Sequence, residues 1–288
     1  MNQALKKIVI KTKKQVFSEI IGNNSTKLKG EGYDFCELKE YEYGEDVKNI
    51  DWIISAKMQK PYVKVFYAQK ELNVNIVCLL SGSTYFGTNV FKQEIITEVA
   101  TALGFICVKQ GNPFSSFIAN EKLEICTKKS KQIFNVNFMA EQLFYYPVIG
   151  KNIDYEKTSK ELFKLIKEKS LIFLIGDFFD IEKLDLKLLC QKHEVIVLIV
   201  RDKFEEHPIE LGNVSFIDPN NNKIFESILN KNSILEYEKK VLQNDHKLFN
   251  HLQNCAVKFT KIYTNENPIK KLLGVLKWMK IFYQNSMI

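Results

Sequence analysis

Three short, largely apolar runs without alternation punctuate this 288-residue chain: NIVCLL at 75–80, LIFLI at 171–175 and VIVLIV at 195–200. A strand with one wet face alternates apolar and polar residues. A run without alternation must be covered on both faces, and packing helices above and below a mostly parallel sheet achieves that. On this pattern strands are expected at Val74–Leu80, Ser115–Ala119, Leu123–Thr127, Leu171–Phe178, Glu194–Val200, Val214–Ile217 and Val257–Tyr263. Helical spacing predicts helices over Phe91–Lys109, Gln132–Phe144, Tyr155–Lys169, Ile181–Gln191, Ile234–Leu252 and Pro268–Trp278. Asn120-Glu121 lies between two strands like a hairpin turn, so one strand should run antiparallel. The expected class is an α/β, doubly wound, mostly parallel sheet.

The first 72 residues read differently. Leu5, Ile8, Val16 and Ile20 fall at roughly helical spacing among lysines, which predicts an amphipathic opening helix, either packed on its own domain or resting on a membrane surface. GNNSTKLKGEG breaks that period, and GYDFCELKEY alternates like a strand before the turn at Tyr43-Gly44. The expected division is a β-containing N-terminal module over 1–72 and an α/β domain over 73–288.

Composition narrows the function classes. Basic residues outnumber acidic ones by 41 to 34, yet Arg201 is the only arginine. Arginine forks are the usual readers of phosphates and guanine edges, so specific nucleic-acid recognition is not expected. Non-specific binding through the lysine excess would show as steep salt dependence. The six cysteines lack C-x-x-C spacing and several sit in apolar runs, which fits reduced, buried thiols. Lysines interrupt the apolar residues of the opening MNQALKKIVIKTKK, and no apolar run approaches the ~20 residues that span a bilayer. A cytoplasmic protein without a transmembrane segment is expected.

In open α/β sheets ligands bind beyond the carboxyl ends of the strands. The loops after the first and fourth sheet strands read LSGSTYFG and GDFFD, offering Ser81, Ser83 and Asp177. Two hydroxyls and a carboxylate are hard oxygen donors of the kind Mg²⁺ prefers. The ordinary readings are loop capping by the serines and a strand-end carboxylate satisfied by nearby backbone. His193, His207, His246 and His251 have no metal-pair spacing, and P-loop, G-x-G-x-x-G and G-x-S-x-G strings are absent.

One longer string is specific. Gly44, Glu45, Asp46, Val47, Lys48, Ile50, Asp51 and Trp52, in GEDVKNIDW, together with the later LLSGSTYFG, GDFFD, VRDKFEE and FIDP in that order, resemble the bacterial family catalogued as domain of unknown function 58. The resemblance implies a von Willebrand factor A-like domain, a fold whose metal-ion-dependent adhesion site uses an Asp-x-Ser-x-Ser loop, a threonine and a later aspartate. Here Leu79 stands where the first aspartate belongs, Ser81 and Ser83 are kept, Asn152 takes the place of the threonine, and Asp177 matches the later aspartate. With one carboxylate left to offset dehydration, any Mg²⁺ or Mn²⁺ site is expected to be absent or weaker than roughly 10⁻³ M, so no cofactor is expected.

The resemblance also implies a partner, a MoxR-type AAA+ ATPase and its client protein, with this chain as a non-enzymatic adaptor. The alternative is a metal-dependent hydrolase that uses Asp46, Asp51 and Asp177 as ligands or acids and bases. Against it, Asp46 is placed to cap a helix start, and Asp51 to pair with Lys57 or Lys64. Trp52 lies on another face, available to anchor the module.

Overall fold

The computed structural model describes residues 3–24, 35–66, 71–179 and 181–285. It divides into two compact units, residues 20–71 and residues 1–19 with 72–288.

In the smaller unit, β1 (Phe35–Glu40) pairs antiparallel with β2 (Tyr62–Phe66). Between them lie a 3₁₀ turn at Val47–Asn49 and the short helix α2 (Trp52–Met58). The opening helix, α1 (Gln3–Asn24), departs from the expected division because its residues to Glu19 belong to the larger unit. Leu5, Val9, Thr12 and Val16 are buried on one stripe, with Val9 taking the place expected for Ile8. Lys11 pairs with Glu98 at 2.9 Å and the Phe17 ring meets Phe105 edge-on, so a solvated lysine face backs a stripe packed on its own domain.

The larger unit follows the order β3 (Val74–Leu79), α3 (Lys92–Lys109), β4 (Phe114–Ala119), β5 (Leu123–Ser130), α4 (Ile133–Phe144), α5 (Tyr155–Leu165), β6 (Leu171–Gly176), α6 (Lys187–Lys192), β7 (Glu194–Arg201), α7 (Lys203–Glu206), β8 (Gly212–Ile217), β9 (Ile224–Leu229), α8 (Lys231–Asn254), β10 (Lys258–Tyr263) and α9 (Pro268–Asn285). Six strands form one sheet in the order β10-β7-β6-β3-β4-β5. All neighbours are parallel except β4 and β5, the pair joined through Asn120-Glu121. β3, β6 and β7 are the expected unbroken runs, and β3 and β6 are buried at every position. Val77, Leu79, Ile172, Leu174, Val197 and Ile199 join Leu162, Leu189 and Leu248 in a core shared with α5, α6 and α8. α3 is buried along most of its length, as expected of a helix covered by others.

Two expectations need correction. The strand at 214–217 does not enter the main sheet: it is β8, paired antiparallel with the unforeseen β9 in a separate hairpin. Both of its strands are largely exposed, so no two-sided burial pattern marks them. The helix expected to start at Ile181 starts at Lys187, because Lys183 adopts a left-handed backbone with φ 61° that an α-helix cannot contain.

The topology locates the crevice. From β3 the chain moves through α3 to β4 on one side, and from β6 through α6 to β7 on the other. The carboxyl ends of the adjacent β3 and β6 therefore flank the point where the winding reverses.

Candidate functional site

Ser81 and Ser83 follow β3 at that reversal, their hydroxyls 2.7 Å apart. Thr84 Oγ1 donates to the Ser81 carbonyl at 2.6 Å, and the Ser83 amide donates to Asn220 Oδ1 at 3.1 Å. The intervening Gly82 donates to the Lys151 carbonyl and lies against the turn of the β8–β9 hairpin, where an added Cβ would be 2.3 Å from the Pro219 carbonyl oxygen. Only glycine permits so close an approach. The serine loop is thus held on both sides by chain distant in sequence.

Asp177 follows β6 and is buried. Its carboxylate accepts, through Oδ2, a hydrogen bond from Lys92 Nζ at 3.1 Å. The same ammonium reaches Glu205 Oε1 at 2.5 Å. Lys92 is fully buried, an arrangement lysine tolerates only when paired. It also occupies the first position of an 18-residue helix, where the macrodipole disfavours a cation. Its two carboxylate partners offset these penalties.

Glu205 belongs to the next strand end. Arg201, Asp202, Glu205 and Glu206 come from VRDKFEE, which carries β7 into α7. Asp202 caps α7 in a reciprocal box with Glu205. Its carboxylate also accepts from the Thr88 amide at 2.9 Å, from Thr88 Oγ1 at 2.7 Å and from Thr264 Oγ1. Arg201 is buried, donates to the backbone carbonyls of Asp177 and Phe178 and to Asp245 Oδ1 at 3.1 Å, and lies 4.2 Å from the centre of the Phe179 ring. The sole arginine of the chain therefore clamps the loop that presents Asp177.

Burial alone would raise the carboxyls of Asp177 and Asp202, but their partners reverse it. The Lys92 ammonium, the Ser83 hydroxyl and Arg201 hold Asp177 below its ordinary 3.8, and the threonine and amide donors do the same for Asp202. Burial pushes Glu205 up, and Lys92 offsets this only in part. Because Asp177 and Asp202 bind protons more weakly folded than unfolded, the stability they contribute is fully present above the unfolded value of 3.8 and is lost as pH falls through their lower folded values. Stability should therefore fall steeply below about pH 4, and Asp202→Asn should flatten that acid limb. Urea denaturation at a series of pH values checks this; an unchanged pH slope in the variant would refute it.

The other expected site residues separate from this network. Leu79 points into the core against Gly176, where an added Cβ would meet the leucine Cβ at 2.8 Å. Hydrocarbon stands where an aspartate was sought. Asn152 is exposed, its backbone N–H donates to Glu121 Oε1 at 3.4 Å, and the preceding Lys151 carbonyl touches the serine loop. Within the smaller unit the GEDVKNIDW carboxylates serve local structure. Asp46 accepts from the Lys48 amide at 3.0 Å and caps the 3₁₀ turn, Glu45 pairs with Lys39 at 2.7 Å, and Gly44 turns with φ 105°. Asp51 caps α2 through the Ile53 and Ile54 amides, both at 3.1 Å, and pairs with Lys64 rather than Lys57. Its carboxyl lies below the ordinary value because of the Ile54 amide and Lys64. Ile50 bridges to Val63, while Val47 and Trp52 are exposed, Trp52 by 67%.

Sequence reasoning missed Lys92, Arg201, Asp202 and Glu205. A charged VRDKFEE directly after an unbroken apolar strand was the available signal, since strand-end loops are where such sheets place their chemistry. Among the described residues no group of three or more His, Cys, Asp or Glu side chains is arranged to hold a metal ion.

Comparison with known proteins follows the same outline. Uncharacterized protein Mb1516 of Mycobacterium bovis is 23% identical over 220 residues, covering 75% of this chain and 69% of that protein. Uncharacterized protein Rv1480 of Mycobacterium tuberculosis matches to the same extent. Among solved structures, the conserved hypothetical protein BatB from Bacteroides thetaiotaomicron is 12% identical, with 73% of this chain and 99% of that chain covered and a TM-score of 0.48. For the VWA domain of SpRpn10 the values are 9%, 71%, 94% and 0.38. The sheet order, mostly parallel with a single antiparallel edge strand, is that of a doubly wound α/β domain. Residues 37–247, from β1 through five of the six strands of the main sheet into α8, match the family described as Protein of unknown function DUF58, and the chain belongs to that family.

Proposed function

We propose that this chain is a non-enzymatic, protein-binding adaptor that acts in the cytoplasm with a MoxR-type AAA+ ATPase and its client, and that its strand-end site is a degenerate adhesion site working without a metal. The observation that carries this reading is that the crevice at the winding reversal is filled by the chain's own ion-paired side chains. Ser81 and Asp177 are buried, and Asp177 is engaged by Lys92. No helix among the described residues is long and apolar enough to cross a membrane.

Beside the filled crevice, Tyr85 and Phe91 stack at a centroid distance of 4.5 Å and stay 46% and 38% exposed. Exposed aromatics on a rigidly held loop are the usual anchors of protein interfaces. The hydrolase alternative has no comparable support, since Asp46 and Asp51 are engaged in capping helical turns.

Capture of a MoxR-type ATPase from the same genome by the immobilised full chain tests the reading. Equal capture with and without EDTA is expected, and Tyr85→Ala should weaken it at least about tenfold, the scale of an interface hot spot. Loss of capture on chelation would refute the metal-free site, and no capture in either buffer would refute the partner.

A further inference from the structure

An adhesion site of this fold family implies a divalent cation, and the residues present do not fit one. The position of the first aspartate is a core leucine, and the carboxylate that remains is already bonded by a buried ammonium. Lys92 Nζ lies 3.1 Å from Asp177 Oδ2 and 2.5 Å from Glu205 Oε1, and on the adjacent strand end the Ser81 and Ser83 hydroxyls are 2.7 Å apart. Serine hydroxyls, a strand-end carboxylate and a second carboxylate are oxygen donors suited to a hard cation. Here the chain itself supplies the positive charge.

We propose that Lys92 is a tethered cation that takes over the charge-compensating role of a divalent ion, so that the site holds its closed arrangement without metal. This rests on the reading of the strand-end loops as a degenerate adhesion site. It also restricts how a partner can be recognised. An ammonium with no exposed surface cannot meet a partner's carboxylate, so recognition passes over the outside of the loop, where Tyr85 and Phe91 lie, rather than through the crevice. The lysine's placement supports the assignment: it stands at a helix start that disfavours a cation, its backbone fixed by the hydrogen bond from its amide to the Phe86 carbonyl at 2.8 Å. A local choice that conflicts with helix electrostatics and is repaired only by distant partners is characteristic of a site rather than of a scaffold.

The test is titration of the full chain with Mn²⁺, followed by calorimetry and by the electron paramagnetic resonance signal of the free ion. The wild-type chain should bind no Mn²⁺ up to about 10⁻² M, an order of magnitude beyond the weak end of oxygen-ligand sites. Lys92→Met exposes Asp177 and Glu205 to a vacated seat and should bind Mn²⁺ with a Kd below about 10⁻³ M, while Lys92→Met combined with Asp177→Asn should not. If Lys92→Met does not fold alone, Mn²⁺ in the refolding buffer should restore its native circular dichroism. The proposal is overturned by wild-type Mn²⁺ binding that Asp177→Asn abolishes. It is equally overturned by a folded Lys92→Met that binds no Mn²⁺, or by an unfolded one that Mn²⁺ does not rescue. The ATPase capture experiment judges the adaptor reading separately, because it uses the wild-type chain and can fail while the titration succeeds.

Discussion

Arg201→Ala should destabilise the protein by about 3–5 kcal/mol, the range found when one partner of a buried ion pair is removed. Three losses coincide. Asp245 loses a partner at 3.1 Å, the Asp177 and Phe178 carbonyls lose their guanidinium donors, and the Phe179 ring loses the cation packed on it. Lys261 still reaches Asp245 at 2.7 Å and Glu206 at 2.7 Å, so the acidic side of the cluster keeps one counter-charge and the loss stays within that range. The carbonyls of the Asp177 loop gain no substitute. Arg201→Lys should recover only part of the stability, because one compact ammonium cannot donate to two carbonyls and a carboxylate in the planar fork geometry. Urea denaturation measures both variants. As a control, Lys160→Ala removes an exposed pair with Glu156 and should leave the urea midpoint essentially unchanged. Equal midpoints for Arg201→Ala and Lys160→Ala would refute the clamp.

Gly82→Ala should cost about 1–3 kcal/mol, as overpacking does, and its effect should concentrate at the strand-end loops. The added methyl would lie 2.3 Å from the Pro219 oxygen and 2.7 Å from the Asn220 nitrogen, both backbone atoms that cannot rotate away. The serine loop and the β8–β9 turn must separate, breaking the bond from the Ser83 amide to Asn220 and straining that from Gly150 to the Pro219 carbonyl. Amide hydrogen exchange should therefore accelerate at Ser83 and Gly150 while the β6 and β7 amides stay protected to the extent that global stability allows. Unchanged exchange at Ser83 and Gly150 would show that the loop has room.

Patterns between near neighbours told the chain's architecture in advance. NIVCLL, LIFLI and VIVLIV became β3, β6 and β7 because a run with no polar face has to be covered twice. Asn120-Glu121 turned one edge strand antiparallel, and Asp46 caps a helical turn, since turns and caps are satisfied within three residues. β9 and its pairing with β8 outside the main sheet escaped because these exposed strands carry no burial signal, and the allegiance of α1 escaped because an amphipathic stripe does not name what it packs on.

Membership of the strand-end site divides along the same line. Ser81, Ser83 and Asp177 were legible as oxygen donors after the right strands. Lys92, Arg201 and Glu205 were not, because Lys92 meets Asp177 across 85 residues and Glu205 across 113, and no local period records such a meeting. Burial patterns are written along the chain, since successive residues of a strand alternate between two fixed layers and those of a helix repeat one buried stripe. Which charges neutralise one another is decided only when separate loops converge at the carboxyl edge of the sheet, and that convergence put a lysine beside the carboxylate.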